Sequence, residues 1–181
     1  MTMYRAFLAA MLASMCSTAA FAQDTPQGAP TPDAAFVKAA SAAGLAEIAL
    51  GQMATSEGKS DAVKTFGERM VTDHTKANAD LKGIADTKGL QVSTSVTTQD
   101  DAASKAIGAK SGDAFDKAFG QKMIMDHRKA VALFAREATS GKDPELKAFA
   151  EKTLPTLREH LDMARKLPGV TMTHAAKTET P

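Results

Sequence analysis

The chain has 181 residues, with 22 basic and 21 acidic side chains, four histidines, one cysteine and no tryptophan. So even a charge balance, with no basic stripe interleaved with aromatics, excludes nucleic acid as a partner, and no polybasic segment is present to hold an anionic membrane. A composition rich in Ala, Lys, Leu and Glu and poor in aromatics favours helix packed on helix over sheet.

In chain order, Arg5 precedes an apolar run from Ala6 to Met15, and small residues follow as far as Ala20-Phe21-Ala22. This pattern reads as a secretory signal peptide over residues 1–22, cleaved after Ala22. The run is too short to cross a bilayer and no later one approaches the required length, so no transmembrane segment is expected in the mature chain. Cys16 falls inside the leader, and Met15 before it is not the small residue a lipoprotein signal needs. The exported chain is therefore expected to lack cysteine and any thiolate metal ligand. It is formally neutral, because Arg5 is the leader's single charge.

Residues 23–32, QDTPQGAPTP, form a Pro-rich lead expected to be disordered, as is the tail over 169–181 that follows the Pro168-Gly169 stop. His174 lies in that tail and is set aside from any site. Between the ends, residues 33–168 are enough for one hydrophobic core. Apolar residues recurring at three and four positions predict four long helices there. The first runs from a cap at Asp33 to about Glu57, and the second from Ser60 or Asp61 to just before Gly89. The third runs from Gly112-Asp113 to just before Gly141. The fourth starts at Asp143-Pro144, a cap and a first-turn proline, and carries Pro155 inside its pattern as a kink. Short joints make two antiparallel hairpins, and the long link over 89–111, with a short helix around Asp100 to Ala109, permits a crossover. The fold class expected is all-α, a ferritin-like four-helix bundle whose second and third helices run parallel.

One phrase occurs twice. FGERMVTDHTK at 66–76 returns as FGQKMIMDHRK at 119–129, in the second and third helices. Counting helix rise from the ends, His74 and His127 stand roughly 21 and 22 Å up, Glu47 roughly 15 Å and His160 roughly 17 Å, one polar residue per helix near mid-height. Glu47 sits in the apolar stretch GLAEIALG, where a carboxylate is costly unless paired, hydrogen-bonded or bound to a cation. His74, His127 and His160 each lie on an apolar stripe. A hydrogen-bonded buried layer is the plainer reading of these four residues, and a metal or other ligand the sharper one. Asp73 and Asp126 point about 100° from the adjacent histidines, so they serve between helices, either accepting a histidine N–H or pairing with Lys or Arg near the surface. Met70 and Met123 share a face with the histidines four positions on. They are ordinary core filler, or, with histidine in a thiol-free exported protein, a copper donor set. Glu137 is off the His127 face and expected to be solvated.

No G-x-S-x-G, H-E-x-x-H or phosphate-binding loop is present, so the sequence leans away from an enzyme. With GLAEIALGQMA, F-G-x-x-M-V-x-D-H, F-x-x-x-M-I-M-D-H-R-K-A-V and L-K-A-F-A-x-x-T-L-P-T-L-R-E-H-L in that order, residues 34–167 resemble the bacterial exported family described as domain of unknown function 4142. The resemblance implies a ferritin-like helical bundle in the periplasm or at the outer membrane, and no defined activity. Ferritin-like di-iron proteins carry Glu-x-x-His on two helices, whereas Val71, Ile124 and Leu157 stand three positions before the three histidines here, which argues against a di-iron centre. The expectation is a bundle holding a transition-metal ion or small ligand at Glu47, His74, His127 and His160. Its rival is an envelope interaction or structural protein whose polar layer only sets helix packing. Protein partners, a second copy of the chain among them, are left open.

Overall fold

The computed structural model describes residues 31–170. The leader with Cys16, most of the Pro-rich lead, and the tail with His174 lie outside the described residues. Five helices follow in order: α1 Pro32–Glu57, α2 Asp61–Thr87, α3 Thr98–Gly108, α4 Gly112–Ser140 and α5 Pro144–Ala164. The described chain is thus an all-α bundle of four long helices and one short one, and α3 is the short helix of the long link.

Most ends obey local chemistry. Ser60 Oγ accepts the Val63 amide ahead of α2, and Asp143 Oδ1 accepts those of Glu145 and Leu146 ahead of α5. Gly89, at a φ of 63°, closes α2, with the Leu90 amide donating back to the Ala85 carbonyl. The start of α1 differs from expectation. Pro32 has no N–H and occupies the first helical position, so the cap moves two residues upstream of Asp33 to Thr31, whose Oγ1 accepts the Ala34 amide. The Asp33 carboxylate instead accepts the amides of Lys142 and Asp143 at 3.0 and 2.9 Å, in the α4–α5 turn. At the opposite end, Asp116 of α4 accepts the amides of Lys59 and Ser60 at 2.9 Å each, in the α1–α2 turn. These two clamps fix direction: α1 starts where α4 ends, and α4 starts where α1 ends. Hence α1 and α4 are antiparallel, and α2 and α4 run the same way.

α1 packs on α2 and on α4, and α5 packs on α4 and on α2. α1 and α2 approach most closely where two glycines meet. A Cβ on Gly67 would come 2.6 Å from the Gly51 carbonyl oxygen, and one on Gly51 would come 2.7 Å from that of Gly67. α5 continues through Pro155 and ends at Ala164. Leu167, expected within that helix, is buried in the turn after it. Among the described residues, α1 is the one helix long and apolar enough to cross a membrane by length and composition, contrary to the expectation that no later run qualifies. It packs against α2 and α4 in the bundle core, with 56% of its most apolar stretch buried.

The apolar interior is divided in two. One cluster gathers Leu50, Phe66, Met70, Phe119, Met123 and Leu161, and the other Phe36, Leu81, Ala130, Phe134, Phe149 and Leu157. On every long helix, the residues of the first cluster and those of the second flank one polar position: Glu47 on α1, His74 on α2, His127 on α4 and His160 on α5.

Candidate metal centre

These four residues are almost fully removed from solvent, at 2% exposure for Glu47, 6% for His74 and 0% for His127 and His160. The imidazole centroids stand 5.6 Å (His74–His127), 5.4 Å (His74–His160) and 5.3 Å (His127–His160) apart, close to an equilateral triangle. Phe66 lies against two of the rings, at 6.4 Å from His127 and 6.2 Å from His160.

On each ring, one nitrogen faces an acceptor and the other has no partner. His127 Nδ1 donates to the Met123 carbonyl at 2.9 Å, within its own helix. His160 Nε2 donates to Asp73 Oδ2 at 2.9 Å, across from α5 to α2. His74 Nδ1 stands 3.2 Å from Glu47 Oε2. Left over are His74 Nε2, His127 Nε2 and His160 Nδ1, all buried and without a hydrogen-bond partner. One ring nitrogen from each histidine lies within 4.8 Å of the other two. Three nitrogens bound to one ion at about 2.1 Å would stand roughly 3.4 Å apart, so a closure of about an ångström completes the geometry. Metal-bound histidines generally donate their second N–H to a carboxylate or carbonyl, which is the arrangement at His127 and His160. The donor set therefore fits a transition-metal ion.

Protonation agrees with that use. Burial pushes His74 and His160 down to about 4, although Asp73 pulls both the other way, and burial also lowers His127 against the pull of Glu47. The imidazoles are neutral at pH 7, with lone pairs available. Glu47 is raised to about 7 by burial, partly offset by His127. Burial works to raise Asp73 as well, but hydrogen bonds from Arg69 and His160 hold its carboxyl below the usual range.

The eight residues singled out in the sequence fall into distinct places. His74, His127 and His160 converge. Glu47 stands behind two of the rings, 3.2 Å from His74 Nδ1 and 3.5 Å from His127 Nδ1, where it can orient and compensate charge. Asp73 holds His160. Asp126 accepts Lys122 Nζ at 2.6 Å, and the same ammonium reaches Asp100 Oδ1 of α3 at 2.8 Å. Met70 and Met123 are fully buried in the first apolar cluster, and Met123 also contributes its carbonyl to His127. Arg69 was not singled out. It donates to Asp73 and extends towards Glu159 at 3.6 Å, so the His160–Asp73 pair is tied to the surface. Its signal was the i,i+4 spacing ahead of Asp73. Glu137, expected in solvent, is buried, because its carboxylate packs into the turn at Gly141.

The fold and this layer define a class: a helical bundle split by a buried three-histidine plane. The chain belongs to the family described as Domain of unknown function (DUF4142), whose model matches residues 17–167. No curated protein matches it. Among solved structures it is similar to "CopM in the Cu(I)-bound form", with a TM-score of 0.63 at 15% identity, covering 74% of this chain and 93% of that one. At that identity the likeness is one of fold alone.

Proposed function

We propose that the protein binds one transition-metal ion through His74, His127 and His160, and that the ion is Cu(I). The observation that carries the reading is the buried cluster of three histidines, each with a ring nitrogen within 4.8 Å of the other two and each with one ring nitrogen that has no hydrogen-bond partner. Imidazole suits copper and zinc alike. Charge favours the monovalent ion, since an ionised Glu47 beside the rings makes a site with Cu(I) neutral, whereas Zn(II) leaves a net buried charge. The Cu(I) in the similar CopM structure points the same way. On this reading Glu47 and Asp73 orient the ligand rings, Asp126 belongs to the scaffold, and the protein holds or delivers the ion without catalysing a reaction. We further infer a ferritin-like topology, with α3 carried in the crossover between two hairpins, and an exported domain freed from its leader after Ala22.

The test is to load the untagged mature protein with Cu(I) under a reductant, in competition with a chromophoric chelator, and with Zn(II) in parallel. One Cu(I) per chain is expected, with a raised thermal midpoint, because an ion bound only by the native state stabilises it. Retention of no ion, or equal retention by a variant with all three histidines replaced, overturns the proposal. A second reading has its own support: the three rings pack on one another, and two of them on Phe66, as aromatic neighbours do, so the layer has a use in setting helix register without an ion. Unchanged stability on adding either metal would favour it.

A further inference from the structure

The histidine layer is closed to solvent, so an ion can reach it only when part of the bundle opens. On the α1–α4 seam, two cavities approach it. The outer one, of about 240 Å³, lies between α1, the first turn of α3 and α4, with Ala43, Ala46, Glu47, Asp100 and Asp126 in its lining. The inner one, of about 20 Å³, is the size of a single water and has His74 in its lining. Ala43, Glu47, Ala130 and Leu133 line both, so the two are parted by shared side chains alone. Glu47 is one of those side chains, and its carboxylate stands against the rings of His74 and His127.

The helix over the outer cavity is held lightly. α3 packs on α1 and on α4, yet Ile107 is its one buried residue, whereas each long helix buries a full stripe. Its polar tie to the bundle is Asp100 Oδ1, which accepts Lys122 Nζ of α4 at 2.8 Å. The link ahead of α3 is pinned separately, the Ser93 amide donating to Ser41 Oγ of α1 at 2.8 Å. An element with so few buried contacts opens at low cost while the rest of the fold stays closed.

We propose that α3 is the gate of the metal layer: it lifts from the α1–α4 seam, and Cu(I) enters and leaves past Glu47. The proposal rests on the Cu(I) reading above. The ties of α3 are the same with or without an ion in the layer, so weakening them speeds entry and exit alike and leaves affinity unchanged. The test follows Cu(I) loading from a chromophoric chelator and release to an excess of it by stopped flow, beside equilibrium affinity and hydrogen exchange of the α3 amides. Asp100→Asn weakens the tie to Lys122, and Ile107→Ala removes the apolar anchor. Each should speed α3 exchange, loading and release by about tenfold, as for loss of one such contact, with affinity held within about twofold. Asp33→Asn, which loosens the clamp on the α4–α5 turn and leaves α3 alone, should change none of these rates. Unchanged metal rates beside faster α3 exchange, α3 exchange that neither substitution speeds, an affinity loss that matches the gain in release, or equal acceleration by Asp33→Asn overturns the gate. Wild-type protein that retains no Cu(I) overturns the metal reading, and the gate with it.

Discussion

The segments 66–76 and 119–129 share a phrase and diverge in use. In both, the Phe and Met are buried in the same apolar cluster and the histidine enters the polar layer. Two other repeated positions, the glycine and the aspartate, part company. Gly67 lets α1 and α2 touch backbone to backbone, whereas Gly120 leaves space for Val170 and Leu167 beyond α5. Asp73 holds His160, whereas Asp126 holds Lys122 and, through it, the crossover helix α3. Positions facing the bundle axis keep one role because the axis offers both helices the same surroundings. Positions facing a neighbour take the role that the neighbour's sequence provides.

If the axial positions are equivalent, His74→Ala and His127→Ala should weaken Cu(I) binding alike. The loss should exceed about 100-fold for each, the upper end of what removing an outer-shell partner costs. Chelator competition measures it, and retention by one variant but not the other would break the equivalence.

The two aspartates should separate most clearly. Asp73→Asn leaves His160 with a weaker acceptor, so Cu(I) affinity should fall by roughly 10- to 100-fold. Asp126→Asn should leave affinity unchanged and lower unfolding free energy by about 1–3 kcal/mol, since the buried Lys122 ammonium loses one of its two carboxylates. Chemical denaturation and metal competition on both variants give the four numbers required. A metal effect at Asp126 equal to that at Asp73 would erase the distinction.

Next in size is the glycine pair. Gly67→Ala drives a methyl into the Gly51 carbonyl, and neither helix backbone can yield without moving, so a cost of about 1–3 kcal/mol is expected. Gly120→Ala meets a Val170 methyl at 2.5 Å, a side-chain atom rather than backbone, which can yield without moving a helix. The gain in helix propensity, up to about 1 kcal/mol, should bring it near neutral. Thermal or denaturant melts decide between the two.

These contrasts mark what sequence could convey. Helix positions and most caps were legible because their causes are local: Ser60 and Asp143 act within three residues of themselves. The histidine layer was legible because stripe and height along a helix need only periodicity and rise. Which of the two aspartates holds a histidine was not, because the fold brings His160 to Asp73 from 87 positions downstream, whereas Arg69 and Lys122, each four positions ahead of its aspartate, carried a local signal. Asp33 failed as a cap for the same reason, its carboxylate being taken by amides 109 and 110 residues away. Glu137 looked solvated because helical phase says nothing about a turn folding back over a side chain.

The smallest expected effect concerns Glu47, which stands behind the histidines of both segments. In the metal-free protein, His74 and His160 have folded values near 4 against an ordinary 6.5, so the unfolded chain binds more protons between those limits. Stability therefore rises with pH across that window. Glu47 acts in the opposite sense. Its value rises from 4.5 to about 7, so the folded chain keeps a proton that the unfolded chain has released, and stability falls as pH climbs through that range. Between pH 6 and 8 the two trends nearly cancel, and the wild-type unfolding free energy should be almost flat, with a decline below pH 6 where the histidines dominate. Glu47→Gln removes the falling trend and keeps the rising one. Its stability should increase by on the order of 1 kcal/mol from pH 6 to 8. Denaturant titrations of both proteins at pH 6, 7 and 8, with a chelator present, make the comparison. Parallel curves would mean that Glu47 is ionised throughout, and that it serves both segments' histidines as a fixed anion rather than a titrating one.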